Sequence, residues 1–178
     1  VSWHALQNVS AVAGDRVLVV GGGSVGLLTV AAARAMGLVG DLEARHEHQR
    51  AAGERLAAGA AGGQYDITVE AAGTDSALAI CVRRTTPGGR IALVGMAQDD
   101  RRVPAIPFVM NELTLVGCNC YDNGRSGHEF TRAAAVLAAD PEIADTVITH
   151  RFPLAEAVEA FRVAGDRGSG AIKVVLAP

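Results

Sequence analysis

A short β-branched run that ends in glycines and leads into an apolar stretch constrains the fold of this chain more than any other feature. Residues 16–20 read RVLVV, residues 21–26 read GGGSVG, and an alanine-rich apolar run continues to Met36. The first run is typical of a buried parallel strand. The apolar run predicts a helix over 24–36 that ends at Gly37. The sequence therefore predicts a strand, a glycine loop and a helix in direct succession.

Strands and helices alternate along nearly the whole chain. Further strands are predicted at 38–44, 65–71, 90–96, 112–118, 146–150 and 171–176, and helices at 1–12, 45–58, 74–84, 127–139 and 153–164. Residues 59–64 are predicted as a loop, 87–89 as a turn and 103–110 as a short proline-containing segment. This order predicts an α/β fold: a doubly wound parallel (Rossmann) sheet in three α/β/α layers, forming one domain over residues 1–178.

The glycine loop has the spacing of a dinucleotide-binding site. Gly21, Gly23 and Gly26 fit the pattern G-x-G-x-x-G. In such a loop the first glycine permits a tight turn, the second lets a pyrophosphate approach the backbone, and the third lets the helix pack closely on the strand. The amides of Ser24 and Val25 would face the phosphates at the positive end of the helix dipole. The strand and helix on either side favour this interpretation over a purely structural turn.

The end of the second strand decides which nicotinamide dinucleotide fits. NAD sites carry an acidic residue about 20 residues beyond the glycines, where it bonds the ribose hydroxyls. Ala44 occupies that place here, and Arg45 follows it. A small residue followed by a cation suits a 2′-phosphate, so NADP is favoured over NAD. A slip of one residue would instead make Glu43 the ribose ligand, and Arg45 could also be only a solvated helix start.

Composition excludes several other classes of function. The net charge of −3 and the 4% of aromatic residues argue against a nucleic-acid partner. No apolar run approaches the length of a membrane span, so no membrane partner is expected. The three cysteines (Cys81, Cys118 and Cys120) do not form a disulfide framework, which favours a reduced, cytoplasmic location.

Titratable residues outside the loop form no recognisable catalytic set. The candidates considered are His4, the pair His128 and Glu129, the pair His150 and Arg151, and Glu70. Of these, only Glu70 is expected at the edge of the crevice, and no residue is predicted to be catalytic. Cys118 and Cys120 are separated by one residue, which on a strand places both thiols on one face without the turn of a C-x-x-C metal site. No metal ligand is predicted in this chain.

Four segments resemble one enzyme family. They are GDRVLVVGGGSVGLL (14–28), YDITVEAAGT (65–74), PGGRIALVG (87–95) and GAIKVVL (170–176). In this order they strongly resemble the medium-chain, zinc-type alcohol dehydrogenases, especially the sorbitol, butanediol and threonine dehydrogenase branch. The likeness covers essentially the whole chain.

The resemblance implies further cofactor contacts. Ala71, Ala72 and Gly73 would lie against the adenosine half, Val94, Gly95 and Met96 with Cys118 would flank the nicotinamide, and Lys173 would reach the pyrophosphate. The family's strand that matches 112–118 commonly pairs with its copy in a second subunit, which implies a homodimer or homotetramer. The implied reaction is hydride transfer between NAD(P) and a small alcohol or ketone.

The chain also departs from the family pattern. The family's catalytic zinc ligands lie in an N-terminal domain that would precede Val1, and its four structural-zinc cysteines have no match here. The chain is therefore expected to be a fragment that binds the cofactor but is inactive alone, with zinc only in the parent enzyme. LAA at 56–58 replaces the family's Leu-Gly-Ala turn, and the stretch that follows is short, so the usual third strand is expected to be either lost or reduced.

Two other functions fit parts of the sequence. A stand-alone module that senses NAD(P) without catalysis would use the same loop, and the coding sequence upstream of Val1 would distinguish it from a dehydrogenase. An S-adenosylmethionine methyltransferase also has a glycine loop after its first strand. The matches at the later strands and at Lys173 argue against the methyltransferase.

Overall fold

A computed structural model describes residues 1–97, 99–121, 128–166 and 168–178 of the chain. Its main sheet contains β1 (Arg16–Val20), β2 (Val39–Glu43), β3 (Gly59–Ala60), β4 (Tyr65–Glu70), β5 (Thr85–Leu93) and β6 (Thr114–Gly117). All neighbouring pairs are parallel, and the strand order is β3-β2-β1-β4-β5-β6. This is the strand order of the doubly wound dinucleotide-binding fold. The predicted α/β class is confirmed.

The helices cover both faces of this sheet. They are α1 (Ser2–Asn8), α2 (Ser24–Ala35), α3 (Glu47–Arg55), α4 (Asp75–Arg84), α5 (Ala105–Met110), α6 (Glu129–Ala139), α7 (Pro141–Val147) and α8 (Ala157–Gly165). Val17 and Val19 of β1 pack in one cluster with α1, α2, α3 and α7, whereas Leu18 packs in a second cluster with α4. Successive side chains of a strand point to opposite faces, so a strand that is apolar throughout is buried on both.

The connection between β3 and β4 is unusually short. Four residues, 61–64, join these parallel strands, and they contain no helix. Tyr65 supports the link: its hydroxyl accepts from the Gly62 amide at 2.7 Å and donates to Asp41 at 2.8 Å. Arg16 donates to the carbonyls of Gly62 and Gln64 and lies 4.9 Å from the centre of the Tyr65 ring. Burial raises the pKa of Tyr65, which keeps this hydroxyl neutral.

The third strand is reduced, as the sequence led us to expect. Only Gly59 and Ala60 pair with β2, opposite Asp41 and Leu42. The prediction of a loop over 59–64 is therefore wrong for its first two residues, which have no side-chain pattern typical of a strand.

Two strands outside the main sheet pair only with each other within the described residues. They are β7 (Ile148–Pro153) and β8 (Lys173–Ala177), which run parallel. Along the chain, β7 is followed by a 3₁₀ turn (Leu154–Glu156), then by α8 and then by β8. The sequence predicts a single helix over 153–164 in this place. The predicted strands at 146–150 and 171–176 are therefore present with shifted bounds.

Several predicted bounds are wrong for local reasons. β5 begins at Thr85 and not at 90, because the register skips from Thr85 to Arg90 and accommodates the turn at 87–89 inside the strand. It ends at Leu93, so 94–96 form a loop.

The 103–110 segment contains α5. Helix α7 was missed, although Asp140 caps it and Pro141 occupies its first turn, a recognised helix start. Gly127, the predicted start of α6, lies outside the described residues.

The central strands predict where the sheet is most sensitive to mutation. Ile67 in β4 is fully buried between β1 and β5. We expect Ile67→Ala to lower the free energy of unfolding by about 2–5 kcal/mol, because it leaves a cavity in a packed core. The matched control is Val39→Ala on β2, where the side chain is exposed, with an expected change within about 0.5 kcal/mol. Urea denaturation followed by circular dichroism measures both, and equal losses would contradict this assignment of the core.

Candidate functional site

The glycine loop lies at the carboxyl end of β1, between β2 on one side and β4 on the other. Gly21 has φ +120°, a conformation that favours glycine, and its amide donates to the Glu43 carbonyl at 2.9 Å. A Cβ on Gly21 would lie 2.9 Å from both the Ala71 carbonyl carbon and the Ala72 nitrogen. The loop therefore fits between its neighbours only because position 21 has no side chain.

The other two motif glycines meet different surroundings. A Cβ on Gly26 would collide with the carbonyl oxygen of Gly21, so this glycine lets α2 pack against the loop. Gly23 caps α2 in an extended conformation, and a Cβ at this position would have no described atom within 4 Å outside its immediate neighbours. Open space therefore lies over Gly23, as a ligand approaching the backbone requires.

Helix α2 begins with an uncompensated positive end. Within the described residues no side chain caps it, and its first turn holds no acidic residue. The first amides of a helix, here including Ser24 and Val25, lack intrahelical partners and carry the positive end of the dipole. The start of α2 can therefore accept an anionic group.

Gly22 is a further site residue that the sequence motif did not single out. A Cβ there would lie 2.7 Å from Ala44 Cβ and 2.6 Å from Gln49 Cβ. The loop thus rests directly on the end of β2 and on α3. No signal in the G-x-G-x-x-G pattern identifies this position, because the contact depends on how α3 packs.

The end of β2 carries several charged groups. Ala44 is half-buried and Arg45 is exposed. Arg50 of α3 reaches back, and its guanidinium donates to the carbonyls of both Ala44 and Arg45 at 3.0 Å. Glu43, Ala44 and Arg50 line one cleft of about 400 Å³. The structure therefore places the predicted Arg45 beside a second cation that is already fixed to the backbone.

The turns that follow β4 and β5 touch each other. The Val94 and Gly95 amides donate to the carbonyl of Glu70 at 3.0 and 2.8 Å. Gly73 has φ +70°, and a Cβ on it would lie 2.6 Å from the Met96 carbonyl oxygen. The predicted adenosine-side residues 71–73 and nicotinamide-side residues 94–96 thus form one continuous surface beside the glycine loop.

Cys118 and Lys173 are the two remaining predicted residues, and the fold places them in different surroundings. Cys118 follows β6 and is buried, its amide donates to the Leu93 carbonyl at 2.9 Å, and burial raises the pKa of its thiol. Lys173 begins β8 and lines a pocket of about 310 Å³ together with Ser24 and Val25. Met96 is 89% exposed at the rim. Lys173 thus shares a pocket with the first residues of α2, and its contact with a pyrophosphate stays a prediction.

Comparison with known proteins identifies the family. The family model for zinc-binding dehydrogenases matches residues 24–139. The chain belongs to the zinc-binding dehydrogenase family. Sorbitol dehydrogenase of Ovis aries is 29% identical over 193 aligned residues, which cover 97% of this chain but 52% of that protein. The chain thus spans about half the length of the curated relatives it matches.

Solved structures share the fold of this zinc-binding dehydrogenase domain. L-idonate 5-dehydrogenase from Escherichia coli K-12 MG1655 superposes with a TM-score of 0.87 at 24% identity, covering 99% of this chain and 54% of that one. A structure described as a zinc-binding dehydrogenase from Sinorhizobium meliloti 1021, bound to NADP, superposes with a TM-score of 0.84 at 23% identity, covering 99% and 56%. At these identities the likeness establishes the fold.

The residues present do not form a zinc site. In the described part of this family member, no three His, Cys, Asp or Glu side chains come together in a way that would hold a metal ion. Cys81, Cys118 and Cys120 are free thiols. Burial raises the pKa of Cys81 to about 12, so that thiol stays protonated.

The three histidines considered from the sequence lie at different places. The Nδ1 atom of His4 lies 2.8 Å from Glu129 Oε1 and links α1 to α6, and His4 also lines the pocket that contains Ser24 and Val25. His128 precedes the first residue of α6, and His150 stacks on Phe152 within β7.

In the described ranges, no helix is both long enough and apolar enough to cross a membrane.

The glycine contacts generate a matched pair of variants. We expect Gly26→Ala to lower the free energy of unfolding by about 1–3 kcal/mol, because its Cβ has no room beside the Gly21 carbonyl. Gly23→Ala, at an open helix cap, should cost less than about 1 kcal/mol. Thermal and urea denaturation of both variants measure the difference. A larger loss for Gly23→Ala would refute the packing described for α2.

Proposed function

We propose that this chain is the nicotinamide-dinucleotide-binding domain of an alcohol or polyol dehydrogenase. The observation that carries the proposal is the open space over Gly23 at the uncapped, positively polarised start of α2, bordered by the turns at 71–73 and 94–96. A bulky or anionic surface at this place would not favour a pyrophosphate. Family membership and the strand order of the main sheet support the same conclusion.

Each part of the surface has a proposed share in binding. The amides of Ser24 and Val25, with Lys173, hold the pyrophosphate. Residues 71–73 lie under the adenosine half of the cofactor. Residues 94–96 and Cys118 flank the nicotinamide ring.

The reaction proposed for the whole protein is hydride transfer between the nicotinamide and a small alcohol or ketone. Bound zinc would polarise the substrate oxygen in such an enzyme, and its ligands would come from outside residues 1–178. The contribution of this single domain is to bind the cofactor and orient its reactive carbon. Since no catalytic residue is assigned to this domain, we expect the 178-residue chain alone to be inactive. We also propose a cytoplasmic location, because the three cysteines do not form a disulfide framework.

The cofactor is proposed to be NADP rather than NAD. Ala44 leaves room beside the ribose, and exposed Arg45 with backbone-fixed Arg50 supplies positive charge for a 2′-phosphate. Glu43, half-buried in the same cleft, is the competing ribose ligand that would favour NAD.

Calorimetric titration with NADPH and with NADH tests both the proposed dinucleotide binding and the proposed preference for NADP. We expect tighter binding of NADPH, and we expect Arg45→Ala to weaken it by about 1.5–3 kcal/mol, the scale of a charge-assisted hydrogen bond. NADH binding should hardly change, because NADH has no 2′-phosphate.

Glu43→Gln is the control for the competing assignment. If NADH binds more tightly and Glu43→Gln weakens it, the domain function stands and the cofactor preference is wrong. If the chain binds neither dinucleotide, the proposed function itself fails for this chain. Binding without any dehydrogenase activity in the protein encoded by the whole gene would favour a cofactor-sensing module.

A homodimer or homotetramer is proposed to form through β6 (Thr114–Gly117), the edge strand that the sequence predicts at 112–118. Among the described strands, β6 is the last of the main sheet and has one unpaired edge, and the neighbouring α5 exposes Ile106, Val109 and Met110. An unpaired edge beside exposed apolar side chains favours pairing with a second copy.

Sedimentation velocity tests this assembly. We expect the chain to sediment as a dimer or larger, and Gly117→Pro to shift it to the monomer. The Cys118 amide donates to Leu93 of β5, so the amide of the preceding residue, Gly117, points to the unpaired edge of β6, where proline would remove a donor needed for pairing with a second copy. A Cβ at Gly117 meets no described atom within 4 Å, so we expect an unchanged melting temperature for Gly117→Pro, and a monomeric unmodified chain would contradict the proposal.

A further inference from the structure

Glu70 is a fully buried carboxylate at the carboxyl end of β4. One of its oxygens, Oε1, accepts from the amides of Ala72 at 3.0 Å and Gly73 at 2.8 Å. Its own backbone carbonyl accepts from Val94 and Gly95. A single residue therefore bonds both turns that border the glycine loop.

Arg101 completes this connection from the segment after β5. It lies 3.4 Å from the second carboxylate oxygen of Glu70, and its side chain is only 14% exposed. The same guanidinium donates to the Thr74 carbonyl at 2.6 Å and to the Gly95 carbonyl at 3.4 Å. Arg101 thus joins the turn after β4, the turn after β5 and the start of α4.

At Gly73 and Gly95 the backbones of the two turns are in direct contact. A Cβ on Gly95 would collide with the Gly73 nitrogen, and a Cβ on Gly73 would meet the Met96 carbonyl. On the other side, Gly21 is similarly close to the backbone at 71–72. A shift of either turn would therefore be transmitted to the other and to the glycine loop, because backbone packed against backbone cannot absorb it.

We propose that Glu70 and Arg101 are positioning residues that hold the turns at 71–73 and 94–96 in the one arrangement that fits the whole dinucleotide. The proposal rests on the proposed function. A buried ion pair is a poor way to stabilise a fold, since well-packed apolar residues are often as stable. Its benefit here is a fixed geometry for six residues that would touch the cofactor, in the way that outer hydrogen bonds orient a binding site.

The pair acts on the two halves of the cofactor together. Of the two turns, AMP would contact only the one at 71–73, whereas NADH and NADPH would contact both. The 2′-phosphate would lie at the end of β2, away from Glu70. Loss of the pair should therefore weaken NADH and NADPH by the same factor and AMP by a smaller one. A role in stability alone would change none of these ratios.

The test is calorimetric titration of Glu70→Gln, Arg101→Met and the double variant with NADH, NADPH and AMP. Glutamine can still accept from the Ala72 and Gly73 amides, but its amide group would then face Arg101, so this variant breaks mainly the link to Arg101. We expect each single variant to weaken both dinucleotides at least about tenfold and AMP about threefold or less. The double variant should lose no more than Arg101→Met alone, because Arg101→Met already removes the link that Glu70→Gln breaks, together with the bonds of Arg101 to Thr74, Gly95 and Asp75.

Asp15→Asn is the matched control. Asp15 lies 3.0 Å from Arg90, which also donates to backbone carbonyls, but this pair lies at the opposite edge of the sheet, where β1 begins. We expect Asp15→Asn to leave all three affinities within about twofold, whatever it does to the melting temperature.

The outcomes separate this inference from the proposed function. If the unmodified chain binds no dinucleotide, the proposed function fails. If it binds, and the folded Glu70→Gln and Arg101→Met variants bind within about twofold of it, the positioning role is wrong and the proposed function stands. Equal weakening of AMP and NADH would also overturn it, since the pair would then act on one turn only. If Glu70→Gln does not fold, Arg101→Met, whose site is outside the sheet and the helices, decides the question.

Discussion

Helix α2 lies against β1 at a distance that only glycine allows, and the arrangement of the rest of the crevice depends on this close approach. The contact between Gly26 and the Gly21 carbonyl sets where the helix begins. That start points its free amides into the space over Gly23. On the other side of the loop, Gly21 lies directly on the backbone that follows β4. The proposed dinucleotide site is therefore built mainly from backbone, and its shape depends on glycines that let backbone segments approach closely.

The same sheet contains an unusually short parallel connection. Parallel strands normally require a crossover of a dozen or more residues, yet 61–64 suffice between β3 and β4. The short link is possible because β3 is only two residues long and because side chains bond the backbone of the link. Arg16 donates to the Gly62 and Gln64 carbonyls, and the Tyr65 hydroxyl, which donates to Asp41, accepts from the Gly62 amide. This region adjoins the cleft at the end of β2, where Glu43 and Arg50 lie. The reduced edge thus leaves the proposed ribose end of the site more open.

Charge is distributed unevenly across the crevice. Arg45 and Arg50 are exposed at and after the end of β2, while buried Glu70 and largely buried Arg101 bond the turns after β4 and β5. Peripheral charges can select among anionic ligands and remain solvated when no ligand is bound. Arg101 pairs with buried Glu70 and also with exposed Asp75, and its proposed role is geometric. In these proposals, selectivity and positioning belong to different residues.

The sequence by itself determined the α/β class and the glycine loop with its flanking elements. These follow from periodicity, turn chemistry and motif spacing, which act between residues close in the chain. The reduced third strand was expected only from the departure of residues 56–64 from the family that the chain resembles. The sequence did not predict α7, the separate pairing of β7 with β8, or the role of Gly22. Only the tertiary structure decided that Glu70 meets Arg101, 31 residues away, and that His4 meets Glu129, 125 residues away. Such contacts depend on which crossovers stack which strand ends together, and no local pattern in the sequence encodes that.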